Sequence, residues 1–299
     1  MREIADRFTV LRDGRSVATG AIENVTNEEL IAQMVGRSIE NLYPHRTPSA
    51  QPDAEILLEV RDLAAPPALK HASFNLHRGE ILGVAGLMGS GRTEMVRALF
   101  GLDRAQSGTV KFKDSPQAAA QAHSPAMRLD QGLGYLSEDR KGEGLALSLS
   151  IADNITLTRF AACSRWGWLQ LARQSKQAGQ LVSDVGVKAR SASLSAGTLS
   201  GGNQQKVAIA RLLHQDADVF LLDEPTRGID IGSKAQVYET IARCAAAGKG
   251  VLMISSYLPE LFGMCDRLAV MSRGKLTTPR VISDWTPESV MQAAIGNAA

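Results

Sequence analysis

The chain has 299 residues, 44% of them hydrophobic, with 33 Lys and Arg against 31 Asp and Glu for a formal net charge of +2. That content supports one large core or two modest ones and excludes a disordered chain, while the near-zero balance leaves no global field to draw in nucleic acid or anionic lipid. Cys163, Cys244 and Cys265 have no Cys-x-x-Cys spacing, and no apolar run approaches a membrane helix, so buried thiols in a reducing cytosol are expected.

From the N-terminus, IADRFTVL at 4–11, with Gly14 and Arg15, matches MCDRLAVM at 264–271, with Gly274 and Lys275, at a constant offset of 260. The same offset places Thr26, Glu28, Leu30 and Gly36 on Thr286, Glu288, Val290 and Gly296. One gapless register across both segments marks a repeated unit. We therefore expect residues 1–42 to be the tail of an upstream copy and 55–299 to be one whole copy. The proline-bearing stretch 43–54 reads as the linker, and Met1 is expected to be a truncation point.

Ile56–Val60, Ala72–Leu76 and Ile81–Ala85 read as strands, and Thr93–Phe100 as a helix. Between the last two lies Gly86-Leu87-Met88-Gly89-Ser90-Gly91-Arg92-Thr93, which fits G-x-x-x-x-G-K-[ST] except for Arg92. Backbone N–H groups of Gly89 to Thr93 would cradle phosphates, with the Thr93 hydroxyl reaching Mg²⁺. Arg92 keeps the positive charge, but its planar guanidinium is not an equivalent replacement for an ammonium at a fitted phosphate site.

GYLSEDRK at 134–141 reads as a strand running into a charged turn, and 150–195 as mainly helical. Trp166 and Trp168 are expected in a small core beneath those helices, with a partner-contact patch as the alternative. Leu199-Ser200-Gly201-Gly202-Asn203-Gln204-Gln205-Lys206 puts a hydroxyl and two glycines ahead of a helical run, which by itself reads as an ordinary Ser-capped helix start and, beside the glycine loop and the acidic strand, as a phosphate-binding turn. Val219–Leu222 is a buried-strand pattern ending in Asp223-Glu224, and Val251–Ile254 is another, followed by Ser255-Ser256.

Glycine loop, LSGG turn and acidic strand in this order resemble the nucleotide-binding domains of ABC transporters, over about Ile56 to Val281. The SEDRK form is similar to the second copy of the tandem ATPases that energise monosaccharide importers of the ribose, galactose and xylose type. The resemblance implies an α/β fold: a P-loop NTPase core with an antiparallel β subdomain and a helical signature subdomain at about 145–200. It implies ATP and Mg²⁺ as cofactors, with Gly86, Gly89, Ser90, Gly91, Arg92 and Thr93 on the nucleotide. Thr93, Glu138 and Asp223 fall on metal positions, Glu138 standing where the family has glutamine. Glu224 falls on the residue that positions or deprotonates water, Ser256 on a switch position that is usually His, and Asp230 on an interface loop. Leu199, Ser200, Gly201, Gly202, Asn203 and Gln204 would close over a partner's ATP. No aromatic residue for adenine stands in 63–72, where His71 is a weak substitute.

By that resemblance the chain is expected at the cytoplasmic face of the inner membrane as a peripheral ATPase of weak activity alone. Its expected partners are an upstream ATPase domain or second ATPase subunit, permease subunits and, indirectly, a periplasmic sugar-binding protein, with no nucleic acid. A non-hydrolysing half and a soluble ABC ATPase stay open as alternatives. The sound LSGG beside the altered Arg92, Glu138 and Ser256 leads us to expect an asymmetric pair of sites.

Overall fold

The computed structural model describes residues 4–12, 15–26, 29–30, 32–33, 42–44, 54–113, 115–116 and 118–296. The chain runs through β1 (Arg7–Arg12), β2 (Arg15–Ala21), β3 (Ile56–Ala65), β4 (Leu69–His77), β5 (Ile81–Gly86), α1 (Arg92–Phe100), β6 (Ser107–Phe112) and β7 (Ala118–Ala119). Next come α2 (Pro125–Asp130), β8 (Leu133–Leu136), α3 (Ile151–Thr156), β9 (Ser164–Arg165), β10 (Trp168–Leu169), α4 (Leu171–Asp184) and α5 (Gly201–Gln215). The remainder is β11 (Val219–Asp223), α6 (Ile231–Ala246), β12 (Gly250–Ile254), α7 (Leu258–Met264), β13 (Arg267–Ser272), β14 (Lys275–Leu276), β15 (Arg280–Val281) and α8 (Pro287–Ile295).

One 11-stranded sheet is ordered β7-β6-β3-β4-β14-β13-β5-β12-β11-β8, with β15 paired to β13. The run from β13 to β8 is parallel, and β3, β4, β6 and β7 are antiparallel. Continuous apolar runs build the parallel part because both of its faces are covered. Ile81, Phe220, Leu222, Val251 and Met253 face a core with Val207 and Tyr238, while Leu82, Val219, Leu221, Leu252 and Ile254 join Met95, Leu99 and the antiparallel strands. The three cysteines are buried. With the strands in parallel register, Gly86, Leu136, Asp223 and Ile254 all end at one edge, and the loops that follow them converge there.

Residues 150–195 form an outlying lobe closed at its base by Ile151 N–H to Leu194 O (2.9 Å) and Ala196 N–H to Leu149 O (3.0 Å). It holds α3 and α4, as its helical composition suggested, and also the two-residue hairpin β9–β10. Here the expected burial of the tryptophans is corrected: Trp166 is 87% exposed and Trp168 77%. The space beneath the helices is filled by Ile151, Ile155, Ala178 and Val185, and the hairpin carries both rings outward.

The N-terminal segment reproduces the C-terminal one in detail. Ile22 N–H donates to Asp6 O and Ile282 N–H to Asp266 O, both at 3.0 Å. A helix start capped reciprocally by Thr26 and Glu29 (2.7 and 3.1 Å) answers the Thr286–Ser289 capping box. The segments differ in setting, since β1 and β2 form their own two-stranded sheet. Gly14, Glu28, Gly36 and most of the expected linker lie outside the described residues. Tyr43, expected in that linker, instead packs on Tyr238 with ring centroids 5.1 Å apart.

Candidate functional site

Gly86 leaves β5 at φ +153°, and a Cβ there would stand 2.5 Å from the Met271 carbonyl and 2.8 Å from Ser90 Oγ, so only glycine fits. Gly91 (φ +106°) caps α1 without a side-chain bond, leaving that helix N-terminus directed at the loop it closes. Ser90 Oγ is buried without a hydrogen-bond partner. The turn between β3 and β4 lies beside this loop through Ala68, whose carbonyl would sit 2.7 Å from a Cβ on Gly91. His71, on β4, is bonded to Asp62 at 3.0 Å.

Two carboxylates stand at the end of β11. Asp223 is fully buried, and neither of its oxygens completes a hydrogen bond among the described residues. Burial pushes its pKa up to about 6, with the Thr93 hydroxyl and Arg92 opposing and the charge of Glu224 adding. Glu224 occupies the left-handed region at φ +48°, a conformation disfavoured for such a residue and held here by its N–H donating to Ile254 O at 3.0 Å. Burial raises its pKa too, opposed by a hydrogen bond from Ser256 and by Arg92. Arg92 reaches across to the ends of β11 and β12: Nη1 donates to Ser255 O at 2.9 Å, and Nη2 lies 3.6 Å from Glu224 Oε1. The glycine loop's cation is thus engaged with groups that follow two other strands, Glu224 after β11 and the Ser255 carbonyl after β12.

The LSGG turn lies elsewhere. Ser200 is the extended residue before α5, exposed, its hydroxyl accepting from Asn203 Nδ2 at 3.0 Å and leaving the helix N-terminus uncapped. Gly202 is buried, and a Cβ there would collide with Ser233 Oγ and stand 3.1 Å from Asp230 Oδ2. Asp230 caps α6 through Ser233 N–H at 2.9 Å, so Asp230 and the LSGG turn pack on each other. Gln205 fastens α5 to the Pro225 carbonyl at 2.6 Å, and Gln204 to Ala196 O at 3.3 Å. Leu199 packs on the apolar core.

The charged turn after β8 ties these parts together, which its sequence did not reveal. Glu138 pairs with Arg227, beyond the acidic strand. Arg140 Nη1 donates to Gly201 O at 2.8 Å, and Glu143 accepts from Arg97 of α1 (2.6 Å) and from Ser137 Oγ (2.9 Å). A cleft of about 710 Å³ opens between Thr93, Glu94, Arg97, Glu138, Arg140 and Arg227. Among the candidates, the structure brings together Gly86, Ser90, Gly91, Arg92, Glu224 and Ser256, with Thr93 and Asp223 beside them. It sets Ser200 to Gln204 and Asp230 apart as a second group, with the charged turn between. Sequence reasoning also missed the buried Glu260, which accepts from Thr226 Oγ1 at 2.7 Å and from Ser255; its signal was Pro259-Glu260 at a helix start.

Among solved structures, a nucleotide-free ATP-binding cassette from an ABC transporter aligns over 81% of this chain and 99% of its own (TM-score 0.66, 19% identity). A dimeric cassette in a post-hydrolysis state bound to ADP and Pi covers 75% of this chain and 98% of its own (TM-score 0.65, 21% identity), and both likenesses establish the fold. A ribose import ATP-binding protein of Rubrobacter xylanophilus is 44% identical over 98% of this chain and 58% of its own length. Another ribose import ATP-binding protein, of Burkholderia ambifaria, is 43% identical over 99% of this chain and 57% of its own, so the chain spans little more than half of these relatives. The model of the ABC transporter family matches residues 69–227, over half the chain, and the chain belongs to that family.

Proposed function

We propose that this chain is the ATP-binding part of an importer for a monosaccharide such as ribose or galactose, coupling nucleotide binding and hydrolysis to uptake. The observation that carries the reading is the buried, unsatisfied Asp223 beside Thr93, at the mouth of a glycine loop that ends in a helix N-terminus. A buried carboxylate with no donor is costly unless a cation meets it. Among the described residues no group of three or more acidic, His or Cys side chains could hold a metal alone. Asp223 and Thr93 fit Mg²⁺ delivered with a triphosphate, a hard cation that brings phosphate and water ligands of its own. When bound, the ion would neutralise charge developing on the phosphates. Glu138 adds less negative charge beside the triphosphate than its type implies, because Arg227 answers it.

The two groups of candidates support two half-sites. Gly86 to Thr93 bind phosphate, and Glu224 orients water. Ser200 to Gln204 offer an exposed helix N-terminus to a nucleotide held by a second ATPase domain. Arg92 already neutralises Glu224, and Ser256 donates to the same carboxylate without supplying a positive charge, so this chain's own site turns over slowly. Residues 1–42 are read as the closing elements of a second nucleotide-binding unit, on the strength of the hydrogen bonds repeated at an offset of 260. No helix among the described residues is long and apolar enough to cross a membrane. In the proposed importer, permease subunits cross the membrane and the chain works as a peripheral component at its cytoplasmic face.

Binding of a fluorescent ATP analogue with and without Mg²⁺ tests the reading. Wild-type chain is expected to bind more tightly with the metal, and Asp223→Ala to lose that difference. Equal binding by both proteins with and without Mg²⁺ would sink the assignment.

A further inference from the structure

Residues 154–183 contain four basic residues, Arg159, Arg165, Arg173 and Lys176, and no Asp or Glu. Arg159 lies 3.9 Å from Asp216, whereas Arg165, Arg173 and Lys176 are exposed and enter no ion pair among the described residues. The flanking acids are engaged: Asp153 with Ser150 and Gln174, and Asp184 with Gln180. Six of the twenty exposed large apolar side chains among the described residues fall in the same stretch: Leu157, Phe160, Trp166, Trp168, Leu169 and Leu171. A chain that is almost neutral overall therefore carries one stretch that is locally basic and exposes several large apolar side chains.

The hairpin tip is strained in a telling way. Trp166 and Gly167 both have positive φ, 55° and 80°, the signature of a tight turn that favours Asn-Gly. A bulky aromatic is disfavoured at the first of these positions, and Trp166, 87% exposed, gains little packing among the described residues to offset that. Strain without internal compensation points to a partner outside the fold. Trp rings flanked by Arg and Lys suit the membrane–water interface, where the ring enters the headgroup layer and the cations meet lipid phosphates. Cytoplasmic loops of membrane proteins carry an excess of Lys and Arg, which would repel this surface, whereas anionic lipid attracts it.

We infer that the β9–β10 hairpin is a lipid-docking tip, with Trp166 and Trp168 entering the interface of an anionic membrane and Arg165, Arg173 and Lys176 contacting its headgroups. The inference does not depend on nucleotide chemistry. Its test is binding of the full chain to vesicles of phosphatidylcholine alone or with about 30% phosphatidylglycerol. Because Trp285, the third tryptophan, is buried, a blue shift of the emission on binding reports the hairpin. We expect about tenfold or greater preference for the anionic vesicles, the blue shift, and loss of both at about 0.5 M salt. Trp166→Ala with Trp168→Ala should remove the shift and about nine-tenths of the binding, as should Arg165→Glu with Arg173→Glu. Unchanged melting and ATP-analogue binding in these variants show that fold and nucleotide site are intact. Equal binding to both vesicle types, wild-type binding by the double Trp variant, or binding only to permease loop peptides would overturn the inference.

Discussion

The mouth of the glycine loop and the LSGG turn are both helix N-termini suited to phosphate, yet they are built in opposite ways. The first is buried and loaded with charge: Asp223 is buried with only the Thr93 hydroxyl and Arg92 favouring its charge among the described residues, Glu224 is held in a disfavoured backbone conformation, and Arg92 bridges strand ends. The second is exposed, and its side chains are satisfied locally, Ser200 by Asn203 and Gly202 by its fit against Asp230 and Ser233. A pocket that stores unfavourable charge must receive a cation to be stable, while a surface that stores none can wait for a ligand brought by another domain. In the proposed function that difference separates a cradle from a lid.

The largest break in that comparison should come from Ser200→Arg in the assembled ATPase. Turnover is expected to fall about 10³-fold, the scale for removing a transition-state donor, while Glu224→Gln in the same assembly changes it by less than about threefold. The reverse pattern in a steady-state phosphate-release assay would exchange the roles of the two sites. Next is Asp223→Asn, which removes the buried charge and should stabilise the nucleotide-free chain at pH 7 by about 2 kcal/mol in denaturant unfolding. The sign follows from the raised pKa. Between the ordinary carboxylate range and about pH 6, the folded chain holds a proton the unfolded chain has released, so wild-type stability falls as pH rises through that window. The Asn variant should lack this slope.

Arg140→Ala should sharpen the comparison from the middle, because Arg140 joins the charged turn to the Gly201 carbonyl. We expect faster amide exchange across Gly201–Gln204 and about tenfold slower turnover in the assembly, with ATP-analogue affinity of the isolated chain unchanged. Arg140→Lys should recover part of the protection. The smallest effect belongs to Arg227→Ala, which breaks a half-exposed ion pair with Glu138 and should shift stability by under about 1 kcal/mol. A larger loss would show that this pair braces the fold.

Elements whose chemistry is local were legible before any coordinates. The loop at 86–93, the LSGG turn before α5, the strand ending in Asp223-Glu224 and the repeat at 4–30 each declare themselves through turn residues, apolar runs or a fixed register. The tryptophans misled because composition predicts how much apolar surface must be buried and says nothing about which ring a positive-φ turn will carry outward. Glu138 was placed by its position in a motif, and its Arg227 partner depends on where the chain returns after β11. Tyr43 lies in a proline-bearing stretch that reads as a spacer, and only the position of Tyr238 on α6 gives it a packing role.

The order of phosphate-binding and acidic elements, and the family they belong to, are written in residues close together along the chain, since backbone conformation and helix starts depend on neighbours. Arg92 on Glu224, Arg140 on Gly201 and the unsatisfied Asp223 were decided by the tertiary structure alone. Ion pairs and desolvation act through space, between groups that the fold brings together from distant parts of the sequence.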